Sequence, residues 1–411
     1  MGVFQKAKKM KKDQGKLARA FAAMAVAAKN PGLLTKIVFA LAGGVVIGMF
    51  CPDCCIRILK TFEVIFAQFI KFIVPLIIIG LVTPAIADTG KSAGRLLLLT
   101  MAIAVGSTVF SGYMTFFTSR TVLTAWIDGG FTGAVDTGRE LLPYFTLKIP
   151  PLCDVVSSLV FSFMAGLGIV AVKAEKVAGV FSEFREIVTV TIKKAFVPLL
   201  PFYILSVVAD LTAGGKLKAV VGPCIKIMTT CMAVTVSLLV IQYVIAGIIA
   251  RRNPFKALWN MIPAYLTGWG CCSSAATIPV TLRQTLKNGV GRESAELVVP
   301  LCASVHLSGS MSNMVSYAIG VMLLFGGVPE IGPFTEYILM LTVIAVAAPG
   351  VPGGVVLASA AILESALGFT PERYALLVAM YMALDGMGTA CNLTGDGAVA
   401  MVVDRFRRKM A

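Results

Sequence analysis

The chain has 411 residues, 57% of them hydrophobic and 14% charged, with a mean hydropathy of +0.87. A soluble domain carries about a quarter charged residues, so much of this surface faces lipid. No soluble stretch of useful size remains, which excludes most enzymes, primary pumps and receptors built on a soluble domain. The net charge of +15 collects at the two ends and in short loops, a topology signal and not a nucleic-acid footprint.

In chain order, a basic segment over 1–32 comes first, carrying Lys6, Lys8, Lys9, Lys11, Lys12, Lys16 and Arg19. No cleavable signal is expected there, because no short apolar core with a small-residue cleavage site follows the bases. Apolar stretches long enough to cross a bilayer as helices then recur. They are Leu33–Met49, Phe62–Ile86, Leu96–Phe117, Leu152–Val172, Ile187–Val208, Val220–Ala250, Leu297–Leu324, Tyr337–Leu363 and Ala375–Val403. Between the first two lies Cys51-Pro52-Asp53-Cys54-Cys55, with no second ligand pair at zinc spacing. Lys91 and Arg95 mark an inner loop. Ser119–Pro151, whose acids and bases balance, reads as an outer loop, and Lys173 to Lys194 lie inside again. Arg405, Arg407, Arg408 and Lys409 end the chain, so both termini read as cytoplasmic and the number of full crossings as even.

Two stretches break a simple count. Ala257–Leu282 is flanked by basic loops on both sides (Arg251, Arg252 and Lys256, then Arg283 to Arg292), so it enters and leaves on one face. Tyr337–Leu363 is flanked by segments without a basic excess, so it returns to the opposite face. Eight crossings plus two re-entrant hairpins, one from each face, satisfy every charge; a ten-crossing alternative puts one basic loop outside. The hairpin tips, Gly270 to Pro279 and Ala347 to Gly354, are rich in Ser, Gly and Pro. Broken backbone at membrane depth is tolerated where it lines a cavity, and a matched pair of interrupted spans points to a transporter site built on inverted repeats.

Polar groups inside the apolar helices mark the site. Asp385, Thr389, Asn392 and Asp396 fall at spacings of four, three and four, on one helical face. Carboxylate, hydroxyl and amide aligned in this way can bind an ammonium group or an alkali cation, a better explanation of four aligned residues than helix–helix hydrogen bonding. The span at Leu297–Leu324 carries His306, Ser308, Ser310, Ser312 and Asn313. His306 is the sole histidine and the one side chain suited to taking up and releasing a proton near neutral pH. No nucleophile motif accompanies it, and no resident cofactor is expected.

Ser273-Ser274-Ala275-Ala276-Thr277-Ile278-Pro279, Gly350-Val351-Pro352-Gly353 and Asn392-Leu393-Thr394-Gly395-Asp396, in this order, resemble motifs of the dicarboxylate/amino acid:cation symporter family, which includes the glutamate transporters. The likeness is good from Ala257 to Arg405 and weaker before. It implies an all-α polytopic elevator transporter in the cell membrane, usually a homotrimer, with a scaffold of helices 1–2 (33–95) and 4–5 (152–216). Helix 3 (96–118), an outer loop (119–151) and the segment 217–405 complete it, followed by a basic tail over 406–411. The last of these segments holds hairpin 1 at about 254–289 and hairpin 2 at about 333–369.

By the family pattern Ser274 and Asn392 hold a substrate α-carboxylate, while Asp385 and Thr389 hold its α-ammonium. Ser273, Ser310, Gly350, Val351 and Gly388 complete the substrate set. One sodium site uses Asp396 with backbone carbonyls of Cys302, His306 and Asn392. Another uses Ser304, Leu307 and the stretch Ala345, Val346, Ala347 and Ala348. Two departures matter. Acidic-substrate members have arginine at Gly388 and aspartate at Tyr381, so a second substrate carboxylate lacks a bidentate partner and a neutral amino acid is the expected cargo, with Gly388 leaving room for a larger side chain. The family's Asn-Met-Asp-Gly-Thr reads His306-Leu307-Ser308-Gly309-Ser310 here, and Ile103 and Ala104 stand where helix 3 would supply hydroxyls. Coupling to fewer sodium ions, with a proton at His306, is the resulting expectation. A dicarboxylate or acidic amino acid carrier, and an uncoupled channel on the same fold, are the alternatives.

Overall fold

A computed structural model describes residues 33–91, 95–127, 141–153, 155–215, 217–347 and 353–410. The basic N-terminal segment, the middle of the outer loop (128–140) and the second hairpin tip (348–352) lie outside the described residues. So do three predicted site residues, Ala348, Gly350 and Val351. Every regular element among the described residues is helical. In order they are α1 Leu33–Phe50, α2 Asp53–Lys91, α3 Arg95–Trp126, α4 Val155–Val172, α5 Glu175–Thr191 and α6 Val197–Ala213, the last two joined by a π-helical turn at Ile192–Phe196. Then follow α7 Leu217–Ala250, α8 Pro254–Asn260, α9 Ile262–Cys271, α10 Ser274–Lys287, α11 Arg292–Val305 and α12 Ser308–Leu324. The chain closes with α13 Ile331–Ala347, α14 Gly354–Ala358, α15 Ala360–Leu367 and α16 Pro371–Met410. Six spans among the described residues are long and apolar enough to cross a membrane, and α1 and α4 are shorter apolar helices.

Close helix contacts follow from small residues, as they must where lipid offers no hydrophobic drive for association. Gly44 and Gly48, one turn apart on α1, sit so near α6 that a Cβ at either would fall within 3 Å of a backbone oxygen of Leu205 or Ala209. α3 and α12 pair through hydroxyls instead. Ser111 donates to the Ser308 carbonyl at 2.7 Å, Thr115 to Ser312 Oγ at 2.9 Å and Ser119 to Ser316 Oγ at 3.2 Å. The constant sequence offset of 197, stepped by four, means the two helices run parallel with matched turns. This ladder corrects the expected loop start at Ser119. Helix α3 continues to Trp126, because its hydroxyls are satisfied by a neighbouring helix or by their own preceding turn, as Thr118 and Thr121 are.

The first interrupted stretch folds as helix–turn–helix, and the described arms of the second are helical. α9 and α10 pack on each other across a turn in which Cys272 takes a left-handed conformation (φ 48°). α13 packs back against α15. α16 runs alongside α7, α9, α10, α11 and α12, and its length of about 60 Å exceeds any bilayer core.

One end of this bundle is clamped by Asp404. Its buried carboxylate accepts from the Gly291 N–H at 3.1 Å and Ser294 Oγ at 3.0 Å, and meets Arg408 at 2.9 Å and Arg252 at 3.9 Å. Arg252 also donates to the Asn288 and Gly289 carbonyls, and Arg407 pairs with Glu293. Losing a charged acceptor strands the Gly291 and Ser294 donors, so Asp404→Ala should cost about 2–3 kcal/mol. A thermal midpoint in detergent measures this; an unchanged midpoint would mean that the clamp contributes nothing.

Candidate functional site

The span expected to run unbroken through Leu297–Leu324 is divided. α11 ends at Val305, His306 is extended (φ −94°, ψ 96°), and α12 begins at Ser308. No glycine or proline sits at the break. It is held from outside: Thr108 Oγ1 accepts from the Leu307 N–H at 3.2 Å, and Asn392 Oδ1 accepts from the N–H groups of Gly309 (2.7 Å) and Ser310 (3.2 Å). Asn392 thus caps the second half-helix, and its amide donates to Ser310 Oγ at 3.0 Å. The neighbour positions are small by necessity, since a Cβ on Gly309 would fall 2.5 Å from the Gly388 carbonyl.

Beside this break lies a cavity of about 200 Å³ where the first hairpin turn, α11, α12, α13, α14 and α16 meet. Ser273, Ser274, Ser304, Leu307, Ser310, Ala345, Asp385, Thr389 and Asn392 all line it, so the structure brings together most of the residues singled out in the sequence. Ser274 opens α10, whose N-terminal end favours negative charge. Asp385, 6% exposed, accepts the Gly353 N–H at 3.0 Å and so ties the outgoing arm of the second hairpin to α16. Tyr381, one turn before Asp385, also lines the cavity.

Gly388 departs from the expectation. It does not line the cavity, and the space before it is filled: a Cβ there would fall 2.7 Å from Asn313 Nδ2. Asn313, buried on α12, donates to the Leu384 carbonyl at 3.4 Å and accepts from Cys231 at 3.2 Å. The glycine therefore makes room for Asn313, not for a substrate side chain.

The remaining predicted residues form a separate, buried group. Cys302 and Val346 pack in an apolar cluster between α11, α13 and α16. Asp396 is 1% exposed; Oδ1 contacts His306 Nδ1 at 3.0 Å and Oδ2 has no hydrogen-bond partner. His306 Nε2 lies 3.0 Å from Ser107 Oγ, and Ser107 accepts from Gln242 Nε2 at 3.1 Å. Donors can run in one direction through this chain. Gln242 gives to Ser107, Ser107 to Nε2, and a neutral imidazole gives Nδ1–H to Asp396. One carboxylate oxygen is thereby occupied and the other is available, a donor set that suits a hard cation. Ser107 and Gln242 were not singled out from sequence, although a lone amide within the apolar run of α7 was the available sign. Among the described residues no cluster of three or more His, Cys, Asp or Glu could hold a metal, and the free thiols Cys51, Cys54 and Cys55 form none.

Long apolar helices around a polar, carboxylate-bearing cavity with broken helices at its edge define a multi-pass membrane transporter. A model of the sodium:dicarboxylate symporter family matches residues 33–406, and the chain belongs to that family, one of transporters and not of enzymes. It is 31% identical to human excitatory amino acid transporter 2 over 157 residues, 38% of this chain and 27% of that protein. It is 28% identical to bovine neutral amino acid transporter A over 163 residues, 39% of this chain and 31% of that protein. Rat neutral amino acid transporter B(0) is 29% identical over 162 residues, 38% of this chain and 29% of that one. The chain thus aligns with less than a third of the length of each of these relatives.

Proposed function

We propose that the protein is a sodium-coupled symporter of a small neutral amino acid. Its cargo binds between the two hairpin tips, with the ammonium at Asp385 and Thr389 and the carboxylate at Ser273, Ser274 and the N-terminus of α10. Sodium binds at Asp396 and beside Ser304, Leu307 and Ala345. Eight crossings with two re-entrant hairpins, an elevator movement, a homotrimer, and cytoplasmic termini in the cell membrane complete the reading.

The observation that carries it is the charge inventory of the cavity. Asp385 is the only charged side chain among its described lining residues, and the tip Ala348-Pro349-Gly350-Val351-Pro352 adds none by sequence. A zwitterion brings one ammonium to that carboxylate. A dicarboxylate or an acidic amino acid would bring a further negative charge with no arginine or lysine to meet it, a costly burial. The relatives carry both names, excitatory and neutral amino acid transporters, so the reading rests on the charge inventory.

Thermal-shift measurement on the purified protein tests it, because a ligand that binds the folded state raises its midpoint by mass action. Neutral amino acids should raise the midpoint in sodium and not in potassium. A shift with dicarboxylates or acidic amino acids alone would overturn the charge argument.

A further inference from the structure

The first arm of hairpin 1 carries an uncovered apolar stripe. Phe255 and Trp259 on α8, and Ile262, Leu266 and Trp269 on α9, recur at spacings of four, three, four and three across the turn at Met261. All five are exposed, Trp259 by 73% and Phe255 by 66%. Helices α8 and α9 pack through their other sides on α7, α10 and α16. At the start of the stripe stand Arg251, in a left-handed conformation that closes α7 (φ 55°), and Lys256. Both are exposed, and neither side chain has an acidic partner among the described residues. Arg252, between them, is already used at Asn288, Gly289 and Asp404. The chain has no acidic residue between Asp210 and Glu293, and the nearby Asp404 is already engaged by Arg252 and Arg408, which leaves Arg251 and Lys256 as the cations beside the stripe.

We propose that this arm is a binding site for an anionic phospholipid, with the phosphate headgroup on Arg251 and Lys256 and the acyl chains along the aromatic and aliphatic stripe. One observation favours a lipid over a protein partner. From Arg251 through Phe255 and Trp259 to Ile262 and Leu266 the stripe passes from charge to aromatic to aliphatic side chains, the order in which a bilayer passes from headgroup to interface to hydrocarbon, and Trp269 closes it at the hairpin turn. A zwitterionic lipid would fill the stripe equally well but would gain nothing from the two cations. Each cation near an anionic surface is worth about fivefold in affinity, so the two together give a preference of about thirtyfold.

Two of the chain's three tryptophans, Trp259 and Trp269, lie on the stripe, which makes contact quenching by brominated lipids the direct measurement. The full chain carrying Trp126→Phe is placed in nanodiscs with brominated phosphatidylglycerol or brominated phosphatidylcholine at equal mole fraction. Quenching should saturate at about thirtyfold lower content of the anionic lipid, and Arg251→Gln and Lys256→Gln should each weaken that preference about fivefold. Both residues are exposed, so the emission maximum and thermal midpoint should stay unchanged. Equal quenching by the two lipids would mean an ordinary lipid-facing surface and overturn the site. No quenching by either would mean that protein covers the stripe, which overturns it as well. A preference abolished by inorganic phosphate at fixed ionic strength would identify a free-anion site, again against the proposal.

Discussion

Asp385→Asn is expected to abolish sodium-dependent binding of a neutral amino acid while leaving the fold in place. The two side chains have the same shape, and an asparagine carbonyl can still accept the Gly353 N–H that Asp385 accepts at 3.0 Å. What is lost is the negative charge. The cavity's described lining offers no other, so a substrate ammonium would enter a desolvated site facing only hydroxyls and amides. Removing one member of a buried charge pair costs about 2–5 kcal/mol, a loss of at least about thirtyfold in affinity. Isothermal titration of the purified variant reads this directly, with its unliganded thermal midpoint as the control for folding. Retained affinity at an unchanged midpoint would show that the ammonium binds elsewhere and would remove Asp385 from the site.

The same replacement has a second consequence, at the hairpin. Because Gly353 opens the outgoing arm and its N–H is aimed at Asp385, the carboxylate proposed to take the cargo ammonium also holds the hairpin down. A substrate ammonium competes for one carboxylate oxygen while the hairpin keeps the other. Substrate binding and hairpin closure are then coupled through one residue, and Asp385→Asn should weaken protection of the 353–358 segment from hydrogen exchange only when substrate is present.

Much of this was legible in the sequence, for physical reasons that differ by element. The face of Asp385, Thr389, Asn392 and Asp396 could be read because a helix repeats every 3.6 residues and polar groups are costly in an apolar span. The turn between α9 and α10 could be read because Ser and Gly mark it. The break at His306–Leu307 could not, since neither residue is a helix breaker and the hydrogen bonds that hold it come from Thr108 and Asn392, distant in sequence. The extension of α3 past Ser119 was hidden for the same reason: serines and threonines read as loop until the partner ladder on α12 is seen. Gly388 misled most. A missing side chain suggests empty space, but interiors are close-packed, and Asn313 from the facing helix fills the gap.

Asp396→Asn should uncouple sodium from amino acid binding. Asp396 is buried with one oxygen on His306 and the other without a hydrogen-bond partner. An uncompensated carboxylate oxygen at that depth is expensive, and a sodium ion is the partner that would both remove the cost and draw on transmembrane gradients. Asparagine keeps an oxygen for the His306 Nδ1–H, so the chain through Ser107 and Gln242 survives. It lacks the charge that pays for dehydrating a cation. Linkage between two ligands is worth about 1–3 kcal/mol, a factor of about 5–150 in affinity, and that factor should collapse toward one in the variant. The comparison is substrate affinity with and without sodium, in the native chain and in Asp396→Asn. By reciprocity the substrate must also cease to improve sodium binding, which gives an independent reading of the same free energy. Unchanged sodium dependence would assign the ion to the residues beside Ser304 and Leu307 alone, and Asp396 would then stand as the buried anchor of His306.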